Sequence, residues 1–317
     1  MNLYSLKYPP LLNFNKKIIE LKINFYKIEY MNIKIVTDST WDFDDTIKKE
    51  NNIEVVPLYL TIEGKRYREG VDISNIDFYK LIEKTNKLPQ TSQPSPFDFI
   101  EVYKKLLKNF DKIISIHISS KLSGTYSSAL IAKRELDKDE RILVIDSKNA
   151  SGALGLLVYM ASVLIKEGKS FVEIVNYLKN IIDKIFTIFI LDNLKVLEMG
   201  GRIGKAKYLL GSILNFKPVL TLKNGIIEPF GSGKIMSSLY ILPTIIKFLK
   251  ENYKNGQIIG GIAHNMINSI NLKKIDVIFE EIKKIAKIEE FLFQKFGPTI
   301  TSHIGLNSIG FSFFEKD

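Results

Sequence analysis

Lys112-Ile-Ile-Ser-Ile-His-Ile118, followed by Ser119-Ser-Lys-Leu-Ser-Gly-Thr-Tyr-Ser-Ser-Ala129, is the stretch that decides the fold. Its first part is an apolar run of strand length. Its second part opens a segment, 124–136, with apolar residues at helical spacing. Ser123-Gly124-Thr125 stands at the strand-to-helix turn. Hydroxyls, a permissive glycine backbone and the unpaired N–H groups of a helix start meet there, a combination that suits an anion. A second hydroxyl-rich turn, Leu88-Pro-Gln-Thr-Ser-Gln-Pro-Ser-Pro96, also leads into a helix, with Pro96 at its first position. The two turns are expected to meet around one small acidic head group.

Towards the N-terminus, Ile33–Val36 reads as a buried strand, and Asp42 is expected to cap a short helix to Lys49. Asp38-Ser39 reads as a cap on the turn after that strand. Ile53–Ile62 reads as a strand with Pro57 at an edge or bend, turned back at Glu63-Gly64 into Lys65–Arg68. Ser74 caps a helix over 75–84. Towards the C-terminus come a strand at Ile142–Ile145 and helices over 151–166 and from Ser170 to about Asp183. Strands alternating with helices predict a parallel sheet covered on both faces. After a strand at Ile185–Leu191 the pattern changes. A helix at 194–199 stops at Gly200-Gly201, Arg202 follows, and residues 203–213 read as a helix. Asn224-Gly225 joins strands 218–222 and 226–230 in a hairpin. Helices 237–252 and 270–286, strands 257–262 and 288–294, a loop at Gly297–Gly305 and a last strand at 308–314 complete a second α/β unit. The expected architecture is a two-lobed α/β protein. Residues 1–30 are an extension that need not belong to the fold, 31–180 form a parallel-sheet lobe, and 181–317 form a second lobe. The ligand would lie between the lobes.

Composition removes several classes. The chain has no Cys, so disulfides, thiolate catalysis and zinc–cysteine sites are excluded. Its three His are His117, His264 and His303, too far apart for a His-based metal motif, and no metal or cofactor is expected. The net charge of +10 comes from scattered Lys rather than a basic run, which favours compositional bias over nucleic-acid binding. Residues 1–30 lack a basic start followed by an unbroken apolar core, so they do not read as a secretory signal. Either Met31 is the true start or residues 1–30 are a dispensable extension. The apolar run Ala153–Ile165 is shorter than the ~20 residues a membrane span needs, so a cytoplasmic location is expected. Gly231-Ser-Gly-Lys234 lacks the spacing of a phosphate loop.

Ile35-Val-Thr-Asp-Ser-Thr40, Glu69-Gly-Val-Asp-Ile73, Leu88–Ser95, Ser123-Gly-Thr-Tyr-Ser127, Gly200-Gly-Arg-Ile203, Lys217-Pro-Val-Leu220 and Gly297–Gly305 occur in this order. Together they resemble the DegV family of bacterial fatty-acid-binding proteins. The resemblance covers Asn32 to the C-terminus. It implies a carrier without catalytic machinery that sequesters one long-chain fatty acid. The carrier would present the carboxylate to a separate ATP-dependent fatty acid kinase, supplying acyl phosphate for phospholipid synthesis. It allows transient contact with a membrane surface. Thr91, Ser92, Ser123 and Gly124 would supply donors to the carboxylate, and Arg202 and His303 are the candidates for a positive partner. Ile203, Leu210 and Ile213 are expected to line the acyl tunnel. Three positions depart from the family pattern: Met236 in place of Arg, Gly204 in place of Ser, and His303-Ile-Gly-Leu-Asn307 in the last loop. Met236 bears on kinase docking.

Two other classes compete. A serine hydrolase would use Ser123 on an acyl ester, although Ser123 is in no GxSxG elbow and no His–Asp order accompanies it. A basic regulatory or nucleic-acid-binding protein is suggested by net charge alone. His117 and His264, in or beside strands, read as structural.

Overall fold

The computed structural model describes residues 31–43, 45–136, 140–211, 217–235, 241–252, 257–265, 280–284 and 287–316. The expectations for residues 1–30, Ile213, Met236 and most of helix 270–286 lie outside these residues. The strands, in chain order, are β1 (Ile33–Asp38), β2 (Ile53–Val56), β3 (Tyr59–Ile62), β4 (Lys65–Arg68), β5 (Gln90–Ser92), β6 (Lys112–His117), β7 (Ile142–Asp146), β8 (Phe186–Ile190), β9 (Lys217–Lys223), β10 (Ile226–Ile235), β11 (Gln257–His264), β12 (Lys287–Lys295) and β13 (Ile309–Lys316).

Four of them form a parallel sheet in the order β2-β1-β6-β7. β1 is buried along its whole length, as expected of a parallel strand covered on both faces. Val36, Ile113 and Val144 face the helices Pro96–Leu106 and Thr125–Leu136. Ile35, Ile114 and Ile116 point to the other side, where the helix Ser151–Lys166 lies. A six-stranded sheet follows in the order β10-β9-β8-β13-β11-β12. It is antiparallel throughout except where β11 runs beside β12. The second unit is therefore a mixed and largely antiparallel sheet. A third, small sheet is ordered β4-β3-β5.

Helix Ser151–Lys166 joins the two large sheets. It touches β1 and β6 of the first and β11 and β13 of the second. Its sequence is apolar around the whole circumference, which marks a helix buried on every side. Gly155 lets it sit close, because a Cβ there would come within 2.7 Å of the Trp41 carbonyl and 2.9 Å of the Phe43 ring. The hairpin tip adds a polar tie between the sheets: Ser119 Oγ donates to the Gly225 carbonyl at 2.9 Å. Asn224 and Gly225 have φ of 51° and 80°, the left-handed pair that a two-residue hairpin requires.

The structure departs from the sequence expectations in five places. Pro57 breaks the run 53–62 into β2 and β3, which belong to different sheets. The hydroxyl-rich turn contains β5, which extends the small sheet beside β3. Asp42 does not start the following helix: it is buried with φ of 61° as the C-cap of the 3-10 helix Ser39–Trp41, and the α-helix begins at Asp45. Residues 203–213 hold a 3-10 helix at Gly204–Leu209, because Gly204 takes φ of 55° and turns the chain. Finally, Gly297–Gly305 is mostly a helix, Pro298–Ile304, with Pro at its first position.

Gly225→Ala is expected to destabilise the protein by about 1–3 kcal/mol, the range for a non-glycine residue held in a left-handed conformation. The new Cβ would also fall 2.4 Å from Ser119 Oγ. Chemical denaturation measures this, and an unchanged midpoint would show that the hairpin tip tolerates a side chain.

Candidate functional site

The loop after β6 carries Ser123, whose Oγ lies 2.9 Å from Thr125 Oγ1 and accepts from Thr125 N at 3.3 Å. Gly124 follows. A Cβ on it would fall 2.1 Å from Gln93 Oε1, so glycine there lets the residues after β5 lie against the helix start. Gln93 Nε2 in turn donates to Ser128 Oγ at 3.3 Å. In this way the two hydroxyl-rich turns, distant in sequence, become neighbours.

His303, on the helix Pro298–Ile304, closes the group. Its Nε2 is 2.7 Å from Thr91 Oγ1. Its ring lies on Gly200, where a Cβ would come 2.5 Å from His303 Nδ1. Arg202 then bends back, with Nε donating to the Leu122 carbonyl at 3.1 Å and Nη1 to the Gly200 carbonyl at 2.5 Å. Burial, and next the Arg202 charge, lower the His303 pKa to about 4. With that shift His303 is neutral near pH 7. Arg202, exposed at the rim, is the permanent cation of the group.

These residues border a cavity of about 400 Å³, within the usual range for small-molecule sites. Thr91, Ser92, Ser123, Arg202 and His303 all line it, whereas Gly124 does not. The rest of the wall is mainly apolar, with Leu58, Ile118, Leu122, Phe189, Leu197, Leu222, Ile227, Phe296, Ile300 and Ile304. Ile203 and Leu210 do not line the cavity. Ile203 is buried in the main core and Leu210 packs against that core. Ile213 lies outside the described residues. Sequence reasoning missed most of the apolar wall. Thr299, Ile300, His303 and Ile304 share one helical face, a signal that was hidden when the segment read as a loop.

Behind this wall two carboxylic acids tie the helix Pro298–Ile304 to the first sheet. Glu69 accepts from Ser39 Oγ at 2.7 Å, Thr299 Oγ1 at 2.6 Å and Thr299 N at 3.1 Å. Asp42 accepts from Gly297 N at 2.9 Å and Ser151 Oγ at 2.5 Å. Burial raises Glu69 to about 7 and Asp42 well above the carboxylate range.

A different set has the connectivity of a hydrolytic triad. His117 Nδ1 is 3.0 Å from Asp38 Oδ2, and its Nε2 is 2.7 Å from Ser115 Oγ. All three residues are completely buried, and Tyr103 donates its hydroxyl to Ser115. No substrate can reach that serine. Ser123, which is accessible from the cavity, has Thr125 rather than a histidine beside it. Among the described residues no group of His, Asp and Glu could hold a metal ion. No helix there is long and apolar enough to cross a membrane.

Residues 32–316 match the profile of a family described as "Uncharacterised protein, DegV family". A DegV domain-containing protein of Caldanaerobacter subterraneus subsp. tengcongensis is 37% identical over 287 residues, covering 90% of this chain and 99% of the relative. A solved DegV family protein of Thermus thermophilus, described by its fatty acid binding, superposes with a TM-score of 0.82 at 32% identity, over 90% of this chain and all of that one. A stearic acid-binding protein of Eubacterium ventriosum superposes with a TM-score of 0.80 at 27% identity, over 90% and 98% of the two chains.

The Glu69 shift carries a stability consequence. A buried acid with a raised pKa stabilises the fold fully below about pH 4.5, where a free glutamate ionises, and loses that contribution as pH rises through about 7. Glu69→Gln should therefore gain in Tm relative to wild type as pH rises from about 5 to about 8. Thermal melts across that range measure the difference. A difference independent of pH would contradict the assigned protonation.

Proposed function

This chain belongs to the DegV family, and from that premise we propose that it binds one long-chain fatty acid in the cavity. The carboxylate would lie among Thr91, Ser92, Ser123, Gly124 and Arg202. The observation that carries the reading is the cavity's division of labour. One border gathers hydroxyls and a guanidinium, and the remaining wall is mainly apolar. Burying a carboxylate requires donors, and burying an acyl chain requires apolar surface. Thr187 and Ser312 are further polar residues of the wall.

His303 takes a positioning role. With its proton on Nε2, the neutral ring donates to Thr91 Oγ1, which leaves the Thr91 proton free to point at the ligand. Arg202 keeps the acid ionised at the rim. A carboxylate held at the rim is placed for transfer. We propose that a separate ATP-dependent kinase acts on it there. A carboxylate oxygen would attack the terminal phosphorus of ATP, giving an acyl phosphate and ADP, which feeds phospholipid synthesis. In this account the chain is a cytoplasmic carrier and contributes no catalytic group.

Mass spectrometry of organic extracts from the purified protein tests the binding. Wild type should carry about one long-chain fatty acid per chain. Arg202→Ala should lose roughly tenfold or more in affinity, the scale of a charge-assisted hydrogen bond, and Ser123→Ala should lose less. A wild-type protein that is empty and also fails to take up added stearate would remove the carrier reading.

A further inference from the structure

Gln294, on β12, is 6% exposed, and neither atom of its amide has a hydrogen-bond partner among the described residues. Burying an amide without partners is unfavourable, so such a group in a folded protein calls for a reason. Its surroundings offer one. The row Gln294, Ala263, Gly310, Phe189 runs directly across β12, β11, β13 and β8, with all four on one face of the sheet. Ala263, Gly310 and Phe189 all line the cavity. Gln294 is not itself a lining residue; it stands beside the wall, at the end of a row whose next two members are an alanine and a glycine.

The space beside the amide is left by glycines. Gln294 Oε1 lies 3.3 Å from where a Cβ on Gly152 would be, and Ser312 Oγ lies 3.6 Å from the same point. Nε2 lies 3.4 Å from the corresponding point on Gly261. Gly152 and Ser312 are part of the cavity wall. Thr187 Oγ1, also in the wall, is 3.3 Å from Ser312 Oγ. Thr187 sits three residues, about 10 Å, before Ile190, the end of β8 from which the chain leads on to Arg202.

We propose that the Gln294 carboxamide is a specificity-determining group of the cavity. It selects acyl chains that carry a hydrogen-bonding oxygen along their length, as in hydroxy or oxo fatty acids, over plain saturated chains. The inference rests on the fatty-acid reading above. An amide can donate to such an oxygen through Nε2 and accept from a hydroxyl through Oε1. A plain methylene chain leaves both unpaired. The selection acts through an unmade hydrogen bond in an apolar site, where discrimination between a polar ligand and its unsubstituted analogue is strong.

Competition binding with stearate and a set of hydroxystearates, the hydroxyl moved along the chain, tests this. Wild type should bind at least one hydroxystearate about tenfold more tightly than stearate. Gln294→Leu should erase that preference while still binding stearate. Gln294→Glu, which keeps the oxygens, should retain part of the preference for a hydroxyl. Wild type that binds stearate and every hydroxystearate equally overturns the inference and leaves the carrier reading intact. A preference that persists in Gln294→Leu also overturns it. Failure of the wild type to bind any of these acids removes the carrier reading and this inference together.

Discussion

A helix that is apolar on every side has to be covered on every side, and Ser151–Lys166 sets that requirement for this fold. One sheet cannot meet it. The parallel sheet covers one flank through β1 and β6, and the mixed sheet covers another through β11 and β13. The two sheets are thus held together by a shared hydrophobic element rather than by continuous strand pairing. The Ser119–Gly225 hydrogen bond adds a local tie where the hairpin meets the first sheet. Small residues regulate how closely the layers approach. Gly155 admits the Trp41 carbonyl, and Gly152, Ala263 and Gly310 are small members of the cavity wall.

The cavity then inherits its polar residues from chain segments that end or begin at its border. Ser123 comes from the turn after β6, Thr91 from the edge of the small sheet, His303 from a short helix and Arg202 from the double-glycine turn. Thr91 is hydrogen-bonded to His303, whose ring packs on Gly200, and Arg202 donates to the carbonyls of Gly200 and Leu122. Such mutual bracing fixes hydrogen-bond donors before a ligand arrives, which lowers the ordering cost of binding. The buried acids Asp42 and Glu69 hold the helix that bears His303, and burial raises the pKa of both.

Much of this was legible in the sequence, and the failures have physical causes. Buried strands such as β1 and β6 are nearly unbroken apolar runs, and Asn224-Gly225 announces its hairpin through a backbone requirement that few residue pairs meet. The hydroxyl turns were recognisable because their residue types do little else so well in that setting. Thr91-Ser92 hid a strand because β5 is short, polar and made only by pairing with β3, a non-local interaction. The helix Pro298–Ile304 looked like a loop because glycine stands on both sides of it, although Pro298 marked its first turn. Ile203 and Leu210, expected in the tunnel, do not line the cavity: Gly204, with its positive φ, starts a 3-10 turn there, and Ile203 is buried in the core. The burial of Asp42 and Glu69 could not be read locally, since their partners lie more than two hundred positions away in Gly297 and Thr299.

A crystal structure of the protein with stearate measures directly where a bound acid puts its carboxylate. The carboxylate should lie within hydrogen-bond reach of Ser123 and Thr91 with Arg202 beside it, and the chain should run past Phe189 and Gly310. A carboxylate at Thr187 and Ser312, or an acid bound outside the cavity, would contradict that placement.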